Sequence, residues 1–108
     1  MDISAYNTAH FQLSLDVTPW AAAYGLDAAA WRLQVRPDAA SANLVLDMNT
    51  ANGRATYSTG VVVFSAPQSV ISPLVAGSYV WDFGFTASGG DFIRCDGGML
   101  TLRQGVTR

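Results

Sequence analysis

Three kinds of side chain in this sequence could do chemistry: one histidine, His10, one cysteine, Cys95, and eight aspartates. Nucleophilic catalysis needs a nucleophile, a base and an orienting group held together, and His10 is the one imidazole available as a base. It stands at the head of the first alternating stretch, beside a terminus that frays, where a histidine is ordinarily a solvent-exposed edge residue. Cys95 alternates in phase with Ile93 and has no histidine near it in sequence, so it reads as a small packed residue. No Cys-x-x-Cys, His-x-His or Asp-x-Asp-x-Asp run offers metal-ligand spacing, and Asp91 and Asp96 read as solvated turn residues. Two carboxylates could still meet in the fold as a hydrolytic pair, but a short chain without a cleft-forming insertion offers them little housing. We therefore assign no catalytic residue, no cofactor site and no metal ligand, and expect a protein that is not an enzyme.

The charge inventory narrows the field further. Every basic residue is Arg and every acidic one Asp, with neither Lys nor Glu in the chain. The absence of Lys excludes Schiff-base and P-loop lysine chemistry, and losing two good helix formers favours strands. Arg- and Ala-rich codon usage explains this bias as well as any selected function does. A net charge of -2, with six Arg scattered along the sequence, offers no footprint for nucleic acid. No apolar run approaches a membrane span, and residues 1–10 have no basic region followed by an apolar one, so neither export nor membrane insertion is expected. A single cysteine permits no internal disulfide and suits a reducing cytoplasm. Half the residues are hydrophobic and only 13% are charged, which suggests that part of the surface is covered by a partner.

The elements that must carry these residues are written in period-two alternation, the mark of a strand with one wet face and one dry. Phe11, Leu13, Leu15 and Val17 alternate with Gln12, Ser14 and Asp16; Trp31, Leu33 and Val35 alternate with Arg32, Gln34 and Arg36. Leu44, Leu46 and Met48 form a third stretch. Asn52-Gly53 then predicts a turn, after which the chain folds back through residues 54–57. Residues 61–65 read as a deeply buried strand. Pro67 and Pro73 bracket one helical turn over Val70, Ile71 and Leu74. In the richest stretch Tyr79, Trp81, Phe83 and Phe85 share a core-building face. Ser88-Gly89-Gly90-Asp91 predicts a hairpin into residues 92–96, and Gly97-Gly98 breaks the run before residues 99–103. Residues 18–30, Ala-rich but limited by Pro19 and Gly25, allow at most a short helical turn. The expectation is one domain over 1–108, an all-β antiparallel sandwich of Ig-like, Greek-key type, with about eight short strands and one short helical turn. Residues 74–79, ending in Tyr79, resemble the tyrosine corner of such folds, in which a strand-initial Tyr hydroxyl bonds back to the preceding loop.

Several segments resemble, in order, a family of small proteins encoded among the tail and baseplate genes of tailed bacteriophages and prophages. Trp31-Arg32-Leu33-Gln34-Val35-Arg36-Pro37 is similar to an early strand ending in Arg, and residues 44–47 with Asn52-Gly53 to a second strand and turn. Gly77-Ser78-Tyr79-Val80-Trp81-Asp82-Phe83 resembles the family's Gly-x-Tyr-x-aromatic-Asp-apolar strand, and Gly97-Gly98 with Val106-Thr107-Arg108 its closing strand and tail. Such proteins resemble the N-terminal sandwich domain of baseplate upper proteins, although this sequence continues into no fibre or receptor-binding region. The resemblance implies a non-enzymatic structural protein that docks to other tail or baseplate proteins or to copies of itself. Its setting would be the bacterial cytoplasm during assembly or the virion tail.

The expected docking element is the first strand, with Phe11, Leu13, Ser14, Leu15, Asp16 and Val17 as candidate interface. It lies next to a free terminus, carries one charge and contains no proline, so it is poorly protected against pairing. Two other readings stay open. A carbohydrate-binding module would use exposed Trp20, Tyr24 or Tyr57 as a stacking platform, and a small hydrolase would need paired carboxylates in a cleft.

Overall fold

Alternation becomes architecture in a computed structural model, which describes residues 2–21, 24, 26, 29–38, 40, 41, 43–87 and 90–105. Eight strands form two facing sheets: β1 (Ile3–Tyr6), β2 (Phe11–Asp16), β3 (Ala30–Arg36), β4 (Leu46–Asn49), β5 (Ala55–Ser58), β6 (Val61–Ala66), β7 (Gly77–Thr86) and β8 (Phe92–Arg103). One sheet runs β1-β8-β7-β3-β4 and the other β2-β6-β5. The fold is the expected β-sandwich. Among the described residues two helical turns join strands: α1 (Thr18–Ala21) after β2, where the sequence allows at most a short one, and α2 (Gln68–Ile71) after β6, where one is expected. Pro67 stands at the N-cap of α2, where its fixed φ suits the extended residue preceding the helix.

The dry faces meet in one core. Trp31, Leu33 and Val35 of β3, Trp81, Phe83 and Phe85 of β7, and Leu100 and Leu102 of β8 face Val62 and Phe64 of β6 and Phe11 and Leu15 of β2. Rings link the sheets: Phe64 meets Phe83 edge-on at 5.8 Å between centroids, and Tyr57 stacks on Trp31 at 5.7 Å. Burying each such side chain contributes roughly 1.5–3 kcal/mol relative to leaving it in water. At the end of the sandwich the Tyr79 hydroxyl donates to the Val75 carbonyl, closing the expected tyrosine corner.

Three local expectations need correction. Residues 3–6, read as a fraying terminus, form β1, which pairs with β8 in parallel, Ile3 opposite Leu100. Gly97-Gly98 does not interrupt β8, which continues for twelve residues. Glycine serves there as space, because a Cβ on Gly97 would lie 2.4 Å from the Trp81 carbonyl oxygen. The Asn52-Gly53 turn, with Gly53 at φ 77°, does not make a hairpin: it carries the chain from β4 in one sheet to β5 in the other. Cys95 packs against the core with Ile93 and is also a bulge residue, since Gly84 pairs with Arg94 and Phe83 with Asp96. A Cβ on Gly84 would lie 2.1 Å from the Ile93 carbonyl oxygen, so the bulge requires glycine opposite it. Ser88 and Gly89 of the expected hairpin and the tail residues 106–108 lie outside the described residues, although β7 and β8 pair antiparallel from Thr86 and Phe92 onward.

Candidate functional site

The candidate docking strand, β2, is an edge of the three-stranded sheet, paired antiparallel with β6 from Phe11 opposite Ala66 to Asp16 opposite Val61. Which of its N–H groups are open follows from the hydrogen bonds. The Val17 N–H donates to Gly60 O at 2.8 Å, so it points towards β6, and in a strand alternate residues point the same way. Phe11, Leu13 and Leu15 therefore bond to β6, and Gln12, Ser14 and Asp16 turn their N–H and C=O outwards. The far side of β6 agrees: the Ser65 N–H donates to Arg54 O at 2.9 Å, on the β5 side, leaving Val62 and Phe64 to face β2. Gln12 and Ser14 are exposed, and among the described residues their N–H groups have no partner.

The six candidate interface residues divide accordingly. The side chains of Phe11, Leu15 and Val17 are buried in the core, Leu13 is half-buried, and Ser14 and Asp16 are exposed. Gln12, not among the candidates, shares the exposed face with Ser14 and Asp16. Asp16 Oδ1 accepts from the Thr18 hydroxyl at 2.6 Å and from the Thr18 N–H at 3.0 Å. Those two bonds, the hydroxyl first, hold the Asp16 carboxyl below its ordinary pKa of 3.8.

The other edges are shorter, at four residues each. The edge of β4 is also occupied. Asn52 accepts from the Asn49 N–H through Oδ1 at 3.0 Å and donates to the Asp47 carbonyl through Nδ2 at 2.9 Å, so one side chain takes the place of a neighbouring strand. Among the described residues β2 is left as the longest strand that lies at a sheet edge over its whole length, while β8 has a further unpaired side from Phe92 to Met99, where β1 does not reach.

The outer face of the five-stranded sheet gathers charge that looks scattered in the sequence. Arg32, Arg36, Arg94 and Arg103 all fall on this face because they share the outward phase of β3 and β8. Arg32 reaches Asp47 at 3.4 Å, Arg94 reaches Asp82 at 3.3 Å, and Arg36 donates to the Gln34 side chain at 3.1 Å. Beside Arg32 lies a shallow hollow of about 530 Å³, bordered also by Asn49, Asp82, Thr86 and half-exposed Phe92. Its lining has one cation, Arg32, and one carboxylate, Asp82, each paired with a residue outside it, and no cysteine or histidine.

The residues weighed for chemistry stay apart. His10 is exposed in the turn before β2. Cys95 is half-buried against the core, and burial, then the neighbouring Asp96 charge, push its thiol up to about 11, so it is protonated at neutral pH. Asp91 and Asp96 are exposed, and no group of three or more His, Cys or acidic residues that could hold a metal ion occurs among the described residues. The proposed sugar platform is not assembled. Tyr57 stacks on buried Trp31 and Trp20 packs against the core, while Tyr24 is exposed and stands edge-on to Phe85 at 5.2 Å. Among the described residues no helix is long and apolar enough to cross a membrane.

No family model and no curated protein sequence matches the chain. Among solved structures it is similar to CopC from Methylosinus trichosporium OB3b, at 18% identity and TM-score 0.47, over 97% of this chain and 88% of that one. It is also similar to murine CRIg, at 11% identity and TM-score 0.45, over 97% of this chain and 92% of that one.

Proposed function

We propose that this domain is a non-enzymatic structural protein that assembles by adding an extended strand of a partner to β2. The observation that carries the reading is the open edge: six residues long, with outward N–H groups at Gln12 and Ser14, one charge at its end, and no proline or bulge. Natural sheets blunt such edges with Lys, Pro or bulges unless a partner covers them, and strand addition turns the unpaired groups into main-chain hydrogen bonds. The phage or prophage tail is the proposed setting, supported by the resemblance of residues 31–37 and 77–83 to small tail and baseplate proteins. Partners would then be other tail or baseplate proteins or further copies of this chain.

Ser14→Pro tests the reading. Its N–H faces away from β6, so proline removes an outward donor without breaking the β2–β6 ladder. The wild type should co-purify with co-expressed tail proteins or associate with itself, and folded Ser14→Pro should do neither. Equal association by both forms would move the interface elsewhere, and a wild type that binds nothing would defeat the assembly reading.

A further inference from the structure

The phase of the outward groups makes β2 complementary to itself. An antiparallel pair formed about a two-fold axis can centre only on a residue or between two residues, and hydrogen-bonded pairs must bring outward-facing positions opposite each other. Centred on Ser14, the pairing sets Ser14 against Ser14 and Gln12 against Asp16 of the other copy, twice. Three such pairs, two bonds each, give about six main-chain hydrogen bonds and join two three-stranded sheets into one.

Side chains on both faces agree with this register. On the wet face, the Gln12 amide lies opposite the Asp16 carboxylate, whose Oδ2 has no hydrogen bond among the described residues because Thr18 uses Oδ1. On the dry face, Leu13 comes opposite Leu15 of the other copy. Leu13 is half-buried while Phe11 and Leu15 on either side are buried, so it is the inward side chain that a new neighbouring strand would cover. Other centres are worse: centring on Leu13 or Leu15 also sets outward positions opposite each other, but leaves two hydrogen-bonded pairs within β2 where Ser14 gives three. Centring on Asp16 sets two carboxylates face to face, and centring on Gln12 runs Ser14 and Asp16 past the other strand, opposite residues 10 and 8 in the turn.

The geometry points to a two-fold homodimer in which the β2 strands of two copies pair antiparallel about Ser14. This deepens the strand-addition reading by naming a second copy as the partner.

Engineered cysteines read the register, in a Cys95→Ser background with wild-type mass by light scattering alongside. Ser14→Cys should form a disulfide-linked dimer under mild oxidation, because hydrogen-bonded partners have Cα atoms about 5.5 Å apart, within disulfide range. Gln12→Cys alone and Asp16→Cys alone should not cross-link, since each lies about 14 Å along the strand from its own copy, whereas the two variants mixed should. Gln12→Arg should tighten the dimer several-fold and Gln12→Asp loosen it similarly, as cross-strand charge pairs do. A wild type that stays monomeric and a Ser14→Cys form that cross-links no faster than an exposed Ser58→Cys control would overturn the dimer. A dimer in which Gln12→Cys cross-links with itself would overturn the register. Retained capture of tail proteins by a monomeric wild type would sink the homodimer and leave the strand-addition reading standing, so the two failures are distinguishable.

Discussion

Asn7→Ala should destabilise the fold by about 2–4 kcal/mol although Asn7 lies in a turn near the N-terminus. Asn7 is 4% exposed and ties three segments together. Its Nδ2 donates to the Leu74 carbonyl at 3.2 Å and to the Gln104 side chain at 3.1 Å, and its Oδ1 accepts from the Gly105 N–H at 3.1 Å. Alanine keeps the main-chain bond from Asn7 N to Arg103 O, at 2.9 Å, and removes the other three. The Gly105 N–H is buried, so orphaning it costs about 1–3 kcal/mol. The Leu74 carbonyl borders a surface hollow that water can enter, so its loss adds about 0.5–1 kcal/mol, and exposed Gln104 adds little. For a domain of this size the total lowers Tm by about 10–20 °C. Urea unfolding followed by Trp fluorescence should show a lower midpoint at unchanged slope. A change no larger than that of exposed Asn43→Ala, under about 0.5 kcal/mol, would refute the pinning role.

Three further outcomes are expected. Trp81→Ala should cost roughly 3–5 kcal/mol by leaving a cavity beside Phe83, enough to unfold a domain of ordinary stability, and a near-neutral result in chemical denaturation would reverse the assigned facing of β7. Asp16 has a depressed folded-state pKa, so its bonds to Thr18 stabilise the protein above the unfolded value of 3.8 and are lost as pH falls through the lower folded value. The Tm gap between wild type and Thr18→Val should thus be widest at neutral pH and close in acid; a gap that widens in acid would contradict the bonding. With its thiol near pKa 11 against an ordinary 9.0, Cys95 should carry about a hundredfold less thiolate at neutral pH than a free cysteine and alkylate correspondingly slowly with iodoacetamide.

How much of this was legible in the sequence depends on how strongly each element alternates. β2, β3 and β7 could be read because three or more large apolar side chains repeat every second position, and Trp31, Trp81 and Phe83 are buried as that pattern requires. β1 was missed because its inward residues are only Ile3 and Ala5, while large Tyr6 faces water, and because a parallel partner ninety-odd residues away leaves no hairpin signal. β8 was cut in two because glycine usually weakens a strand, whereas here Gly97 makes room for a neighbouring carbonyl and for the Arg94 guanidinium. The gathering of Arg32, Arg36, Arg94 and Arg103 was hidden because a bulge at Cys95 resets the phase of β8 between the last two.

At the candidate site, the exposed face of β2 was readable and the open donors were not. Alternation tells which side chains are wet, but which N–H groups point outwards depends on the side from which β6 pairs, a tertiary fact. The same holds for the Asn52 side chain that closes the β4 edge, since an Asn in a turn looks the same in sequence whether or not it bonds a strand.

Amide hydrogen exchange at single-residue resolution tests the docking claim most directly. In dilute monomer, the Leu13 and Leu15 amides should be protected by β6 while those of Gln12 and Ser14 exchange freely. On association, with itself or with a captured tail protein, Gln12 and Ser14 should become protected as well. Complex formation that leaves the Ser14 amide exchanging as fast as in the monomer would contradict assembly through β2.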